Sequence, residues 1–310
     1  RDSLAASLKS LKEGVPMRVE WPTLGLIACG YLAWGLALFW LPDVWLPLAI
    51  AGAVLAITLH SSLQHEVLHG HPFPGRRALG EALVYPSLNL VIPYARFRDT
   101  HLAHHFDSNL TDPYDDPESN YQDPRVWRRL PRVVQAVLRI NNTLLGRIVI
   151  GPALGQITFM AGDLRAILRG DRLVLRAWLG QGVVTGAILG LVAVSPMPIW
   201  AYLLAAYLGL GVLKIRTFLE HQAHELVRGR TVVVEDRGPL AFLFLNNNFH
   251  IVHHMHPKMP WYRLPGLYFA NREKYLTRNG GYRYASYAEI FRRHLIRAKD
   301  TVPHPLRPQD

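Results

Sequence analysis

Four long apolar stretches, free of lysine and arginine and grouped as two pairs, leave this chain very few architectures. They run from Leu24 to Trp40, Val44 to Leu63, Ala177 to Val194 and Met197 to Leu213. Each approaches the roughly 20 residues a helix needs to cross a bilayer. Four such blocks without a basic residue are rare as core helices of soluble proteins. They predict an all-α integral membrane protein with four transmembrane helices in two hairpins. The chain reads as a single domain over residues 1–310, with residues 64–176 and 214–310 forming a helical cap. The first apolar run is followed at once by a second, which argues against a cleavable signal peptide.

Charge placement orients the hairpins. Of the 34 lysines and arginines, four lie in residues 1–18, fourteen in 76–176 and sixteen from 214 onward, with none in 19–75 or 177–213. The turns Leu41-Pro42-Asp43-Val44 and Ser195-Pro196-Met197-Pro198 carry no positive charge. The positive-inside rule puts both turns outside, and both termini and the intervening loop in the cytoplasm. The formal net charge of +11 suits contact with anionic lipid headgroups or steering of an acidic redox partner. The arginines are spread along the membrane side of the cap, which argues against nucleic acid. The single cysteine, Cys29, excludes disulfides and cysteine-based metal sites within the chain.

The chemistry-bearing residues are histidines. Fifteen are present, and most fall into clusters on the cytoplasmic side of the spans: His65 and His69; His101, His104 and His105; His221 and His224; His250, His253 and His254. Imidazole is a good ligand for transition metals. Spacings of three and four residues turn the rings to one helix face. Two triplets beside a pair call for a site holding more than one metal. The pair sits in His65-Glu66-Val67-Leu68-His69, nominally the zinc-protease motif with Glu66 as base, but a lone zinc leaves both triplets unexplained. An all-nitrogen shell leaves the metals highly positive, so carboxylates are expected nearby, with Asp99, Glu220 and Glu225 closest in sequence. His221 is expected as a ligand at the end of the fourth span, and His224 is an open tenth. His60 reads as a hydrogen-bonded polar group inside a span and His71 as no more than a supporting residue. His256, His294 and His304 read as surface residues.

Between the clusters, residues 1–20 read as a short amphipathic segment and Ala78–Ala95 as a helix lying at the interface. Asp107–Asp123, rich in Asp, Asn and Pro, reads as an exposed loop. Residues 125–140 and 143–169 carry amphipathic patterns suited to a membrane surface. Residues 226–240 form a polar excursion compatible with a short hairpin.

The boxes His65–His69, His101–His105 and His250–His254 resemble, in kind, order and location, the three histidine boxes of the integral-membrane fatty acid desaturase and hydroxylase superfamily. The stretches Asn248–Pro257 and Pro260–Pro265 look like its bacterial members, and the resemblance covers roughly residues 20–270. It implies a cytosolic cap holding two iron ions, with His65, His69, His101, His104, His105, His221, His250, His253 and His254 as ligands and no further catalytic residues. It also implies dioxygen as co-substrate, a lipid or acyl substrate and a bacterial cell-membrane location. No fused cytochrome b5 signature is present, so a separate ferredoxin, rubredoxin or cytochrome b5-type protein is expected to supply electrons. The expected reaction is insertion of a double bond into a fatty acyl chain. A hydroxylase or ketolase of an alkane, lipid or carotenoid stays open, as does, more remotely, a membrane metal transporter or sensor.

Overall fold

The computed structural model describes residues 19–105 and 107–308. Of the amphipathic segment expected at the N-terminus, residues 1–18 lie outside the described residues. The chain is mostly helical, and among the described residues four helices are long and apolar enough to cross a membrane. Helix α1 (Trp21–Phe39) starts with Pro22 in its first turn, where proline's missing N–H is no loss. A single helical turn, Leu41–Val44, leads into α2 (Leu46–Leu68).

Two segments follow where one interfacial helix was expected. Only Arg77–Val84 (α3) is helical, residues 85–93 are irregular, and the chain resumes as α4 (Tyr94–His104). Pro86 and Pro93 interrupt the pattern, and Leu90 adopts a left-handed φ of 71°. The irregular stretch is buried rather than laid on a surface: Ser87, Leu88, Asn89 and Leu90 are all inside. Irregular backbone at membrane depth survives only where protein satisfies its polar groups. Here the spans provide the donors. Tyr31 donates to Leu83 O (2.7 Å) and Gln64 to Val84 O (2.9 Å). Tyr202 donates to Leu88 O (2.8 Å), and Gln181 and Thr185 to Leu90 O (3.0 and 2.8 Å).

Next come the short helices α5 (Pro124–Arg129), α6 (Arg132–Asn141) and α7 (Leu144–Val149), then α8 (Gly151–Leu168). The second hairpin is α9 (Arg172–Ala193) and α10 (Ile199–Thr217). Asp171 caps α9 by accepting from the N–H groups of Leu173 and Val174, so this helix begins before the apolar block does.

Helices α2 and α10 pack closely through small residues. A side chain at Gly209 would meet Ile57 Cγ2 at 3.1 Å, and Ala49, Ala53, Ala201 and Ala205 are buried in the same core. Close approach through small residues is how membrane helices associate. The outer faces carry exposed Leu32, Leu55, Leu179, Val183 and Leu203, as lipid contact requires.

Beyond α10 the chain turns through an antiparallel bridge, His221 to Thr231. The excursion expected over 226–240 therefore closes earlier, at 221–231. Its continuation, β1 (Val233–Val234), pairs in parallel with β2 (Arg283–Tyr284), which no local hairpin can do. Helix α11 (His250–Met255) and α12 (Tyr287–His294) complete the elements used below. The cap has its own cores, one around Leu144, Phe218, Val232, Phe244 and Ile290 and another around Phe249, Val252 and Tyr268.

Candidate metal centre

All nine histidines expected as ligands meet in one place, in two adjacent groups. His65, His69, His101, His105 and His253 form the first; His104, His221, His250 and His254 form the second. Within each group, one side-chain nitrogen per ring lies within 4.8 Å of all the others. The groups abut where the His105 and His254 rings stack, with centroids 4.4 Å apart.

Helix geometry explains how each triplet serves both groups. At 100° per residue, positions i and i+4 diverge by about 40° one way and i+3 by about 60° the other. His101 and His105 enter the first group, and His104 the second. The third box reverses this: His250 and His254 enter the second group, and His253 the first. His65 lies in the last turn of α2 and His69 at its C-cap. Helix α10 stops at Thr217, so His221 reaches the second group from the 221–231 turn and not, as expected, from a helix.

The nitrogens approach face to face. His105 Nε2 lies 3.0 Å from His101 Nε2 and 3.2 Å from His253 Nε2. His221 Nε2 lies 2.9 Å from His104 Nε2 and 3.1 Å from His250 Nε2. Nitrogens bound at about 2.1 Å to one metal stand about 3.0–3.4 Å apart. The Nε2 atoms of His65 and His69 are buried without a hydrogen-bond partner, a state that costs free energy unless something else binds them. Burial, followed by charge on neighbouring rings, lowers His69 to about 2 and holds His105, His221, His250 and His253 well below the usual imidazole range. Neutral imidazole is the metal-binding form. The donor set therefore fits two cations.

Behind the rings stand groups that fix their orientation. His101 Nδ1 meets Glu118 Oε1 at 2.8 Å, and His104 Nδ1 meets Asp116 Oδ1 at 2.7 Å. His250 Nδ1 lies 3.2 Å from Asn247 Oδ1 and 3.8 Å from Glu220 Oε1. Carboxylates behind ligating histidines set tautomer and ring angle. Burial raises Glu118, but His104 and then His101 outweigh it and hold it well below the usual range.

The sequence reading missed Asp116 and Glu118, which lie in the stretch read as an exposed loop; Asp116 is buried. The available signal was the acid-rich run Asp112–Glu118 directly after a histidine triplet. Of the carboxylates that reading singled out, only Glu220 is near the rings, and it also pairs with Arg216 at 3.1 Å. Asp99 pairs with Arg98, and Glu225 is exposed.

The other histidines lie outside both groups. His224 contacts Leu226 N and O. His60 meets Tyr31 Oη at 3.1 Å, and His71 meets Glu20 at 2.6 Å. His256 is exposed and His294 half-buried against Tyr284. His304 is buried, contrary to the surface position expected, because its backbone N–H bonds Gln122 O and its ring packs on Tyr121. Glu66 accepts from Trp261 N–H at 2.9 Å and lies 3.7 Å from His71. It is engaged away from the rings, which removes the zinc-protease reading.

A cavity of about 710 Å³ opens beside the second group, lined by Gln64, Asn89, Phe97, Glu118, Glu220 and His221 among others. Its size lies within the usual range for small-molecule sites.

No curated protein sequence matches this chain. The sequence profile of one family, described as "Fatty acid desaturase", matches residues 40–286. That span contains every histidine of both groups, the last three of the four spanning helices, and most of the cap. With its four membrane-capable helices and paired histidine groups, the chain belongs to the fatty acid desaturase family.

Proposed function

We propose that this protein is a dioxygen-dependent di-iron oxidoreductase that introduces a double bond into a lipid acyl chain. The observation that carries the reading is the contiguity of two all-histidine groups beside one cavity. In this reading His65, His69, His101, His105 and His253 hold one iron, and His104, His221, His250 and His254 the other. Iron, when bound, supplies dioxygen activation and the removal of hydrogen from an unactivated C–H bond. The protein contributes placement and charge. Asp116, Glu118 and Asn247 lock three rings with Nε2 inward, while Asp116, Glu118 and Glu220 offset the positive charge of a neutral-ligand centre. The cavity aligns the substrate carbon and limits water at the reacting bond.

In this reading residues 1–310 form a single membrane unit; the charge pattern supports a cytoplasmic cap (64–176 and 214–310) and cytoplasmic termini, and the likeness of Asn248–Pro257 and Pro260–Pro265 to bacterial members supports a bacterial cell membrane. The basic cap suits an acidic ferredoxin, rubredoxin or cytochrome b5-type donor. A second reading, oxygen insertion to give an alcohol, is favoured by Gln64 and Asn89 on the cavity wall, whose Oε1 and Nδ2 are left for a hydroxyl product once Gln64 Nε2 bonds Val84 O and Ser87 Oγ and Asn89 Oδ1 accepts from Val91 and Ile92 N–H.

The test is turnover of the purified protein with reductant, reductase and labelled lipids, read by mass spectrometry. Loss of two hydrogens is the expected outcome, and gain of one oxygen selects the second reading. Absence of any dioxygen-dependent product from iron-loaded protein overturns both.

A further inference from the structure

The cavity beside the histidine groups holds two cations, Arg147 and Lys214, that have no ion-pair partner among the described residues. Arg147 is 4% exposed. Its Nε donates to Asn141 O at 2.9 Å and its guanidinium lies over the Phe218 ring. Among the described residues it has no carboxylate within ion-pair distance and no partner for its terminal nitrogens. Lys214, in the last turn of α10, has neither a hydrogen bond nor an ion pair among the described residues. Both line the cavity.

Of the other charged groups there, Arg165 is exposed and bonds only Ala161 O, through Nε at 3.1 Å, and the rest face opposite charges. Arg216 pairs with Glu220, and Lys299 lies 3.7 Å from Asp300. Asp116 and Glu118 face His104 and His101. Burial lowers Arg147 to about 10, with Asp300 opposing the shift. A buried cation without a counter-charge is costly and rare unless it serves a ligand.

Helix α8 brings the two cations together. A side chain at Gly151 would meet Arg147 Cδ at 3.0 Å, and one at Gly155 would meet Lys214 Nζ at 3.5 Å. Positions 151 and 155 share one face of α8, so both cations extend beneath the same surface. Lys214 also lies near the end of a span, the depth at which an amphiphile's polar head sits.

We infer that Arg147 and Lys214 form a head-group subsite that selects substrates bearing an anionic oxyanion, carboxylate or phosphate, with the chain entering the cavity toward His221. This rests on the proposed lipid oxidation only for the nature of the occupant. A neutral alkane or carotenoid leaves both cations uncompensated.

The test is equilibrium binding to the purified, iron-loaded protein in neutral detergent. The probes are palmitate, methyl palmitate, hexadecanol and a lysophosphatidate. At least one anionic probe binds tenfold or more tighter than the neutral ones, about 1.4 kcal/mol, and the better of the two identifies the oxyanion. The advantage disappears in the combined variant Arg147→Gln, Lys214→Met and survives in Arg147→Lys. Gly155→Leu, which crowds Lys214, reduces it without touching a charge. Neutral probes binding as tightly as both anions, or an advantage that outlasts the combined variant, overturns the inference. Turnover is followed on the same preparations. Lost selectivity with intact turnover sinks the subsite alone, and selective binding without oxidised product sinks the proposed reaction alone.

Discussion

Asp116→Asn changes one atom, and the structure says what that atom does. Asp116 is buried and accepts three hydrogen bonds. Its Oδ1 takes His104 Nδ1–H at 2.7 Å and Glu118 N–H at 2.9 Å, and its Oδ2 takes Thr111 N–H at 2.8 Å. Asparagine has one oxygen. If it faces His104, its amide nitrogen opposes the Thr111 N–H; flipped, it opposes both His104 and Glu118. Either way a buried donor loses its partner, at about 1–3 kcal/mol. Loss of such a supporting group lowers metal affinity about 10–100-fold. Because His104 belongs to the second group only, the loss falls on one ion of the two. The assay is metal content after dialysis against a graded chelator, with thermal unfolding in detergent as a second readout. Iron falls toward one per chain and the midpoint drops, whereas Asp115→Asn, on the exposed neighbour, changes neither. Wild-type iron retention and stability in Asp116→Asn would refute the orienting role.

Three further outcomes are expected. His105→Ala or His254→Ala, at the stacked contact between the groups, abolishes turnover and lowers iron content, whereas His224→Ala and His294→Ala do neither; equal behaviour of all four contradicts the ligand assignment. Tyr202→Phe removes the donor to Leu88 O and destabilises the protein by about 1–3 kcal/mol, read as a lower unfolding midpoint with iron content unchanged. Burial disfavours the Glu235 carboxylate, but hydrogen bonds from Arg272, Tyr268 and Arg283 outweigh it and bring it to about 2. A depressed carboxyl stabilises the fold above its unfolded value of about 4.5 and loses that contribution as pH falls toward 2. Glu235→Gln therefore costs about 1–2 kcal/mol at pH 7, allowing for the solvent-exposed arginines, and flattens the acid limb of the stability profile. A parallel acid limb in the variant excludes the ion cluster as its source.

The spans and histidine boxes were legible because each rests on local periodicity. Apolar runs of bilayer length and rings three and four residues apart have few other uses. The splitting of each triplet between two groups follows from the same helical angles, yet only the fold decides which ring goes where. Asp116 and Glu118 were not legible because their stretch has the composition of a solvated loop, and its burial depends on the later segment around Val302–His304 packing on Gln122. The plug at residues 85–93 was misread as a helix for the opposite reason. Its apolar residues suit an interface, and its stability rests on side chains from spans far away in sequence. Arg147 and Lys214 carried no sequence signal at all, since one more basic residue near a span end is ordinary.

The two histidine groups are each expected to hold one metal ion. X-ray anomalous scattering at the iron edge, from crystals of protein loaded with iron, tests this directly. Two peaks are expected, one among His65, His69, His101, His105 and His253 and one among His104, His221, His250 and His254. A single peak, or peaks outside these nine rings, contradicts this.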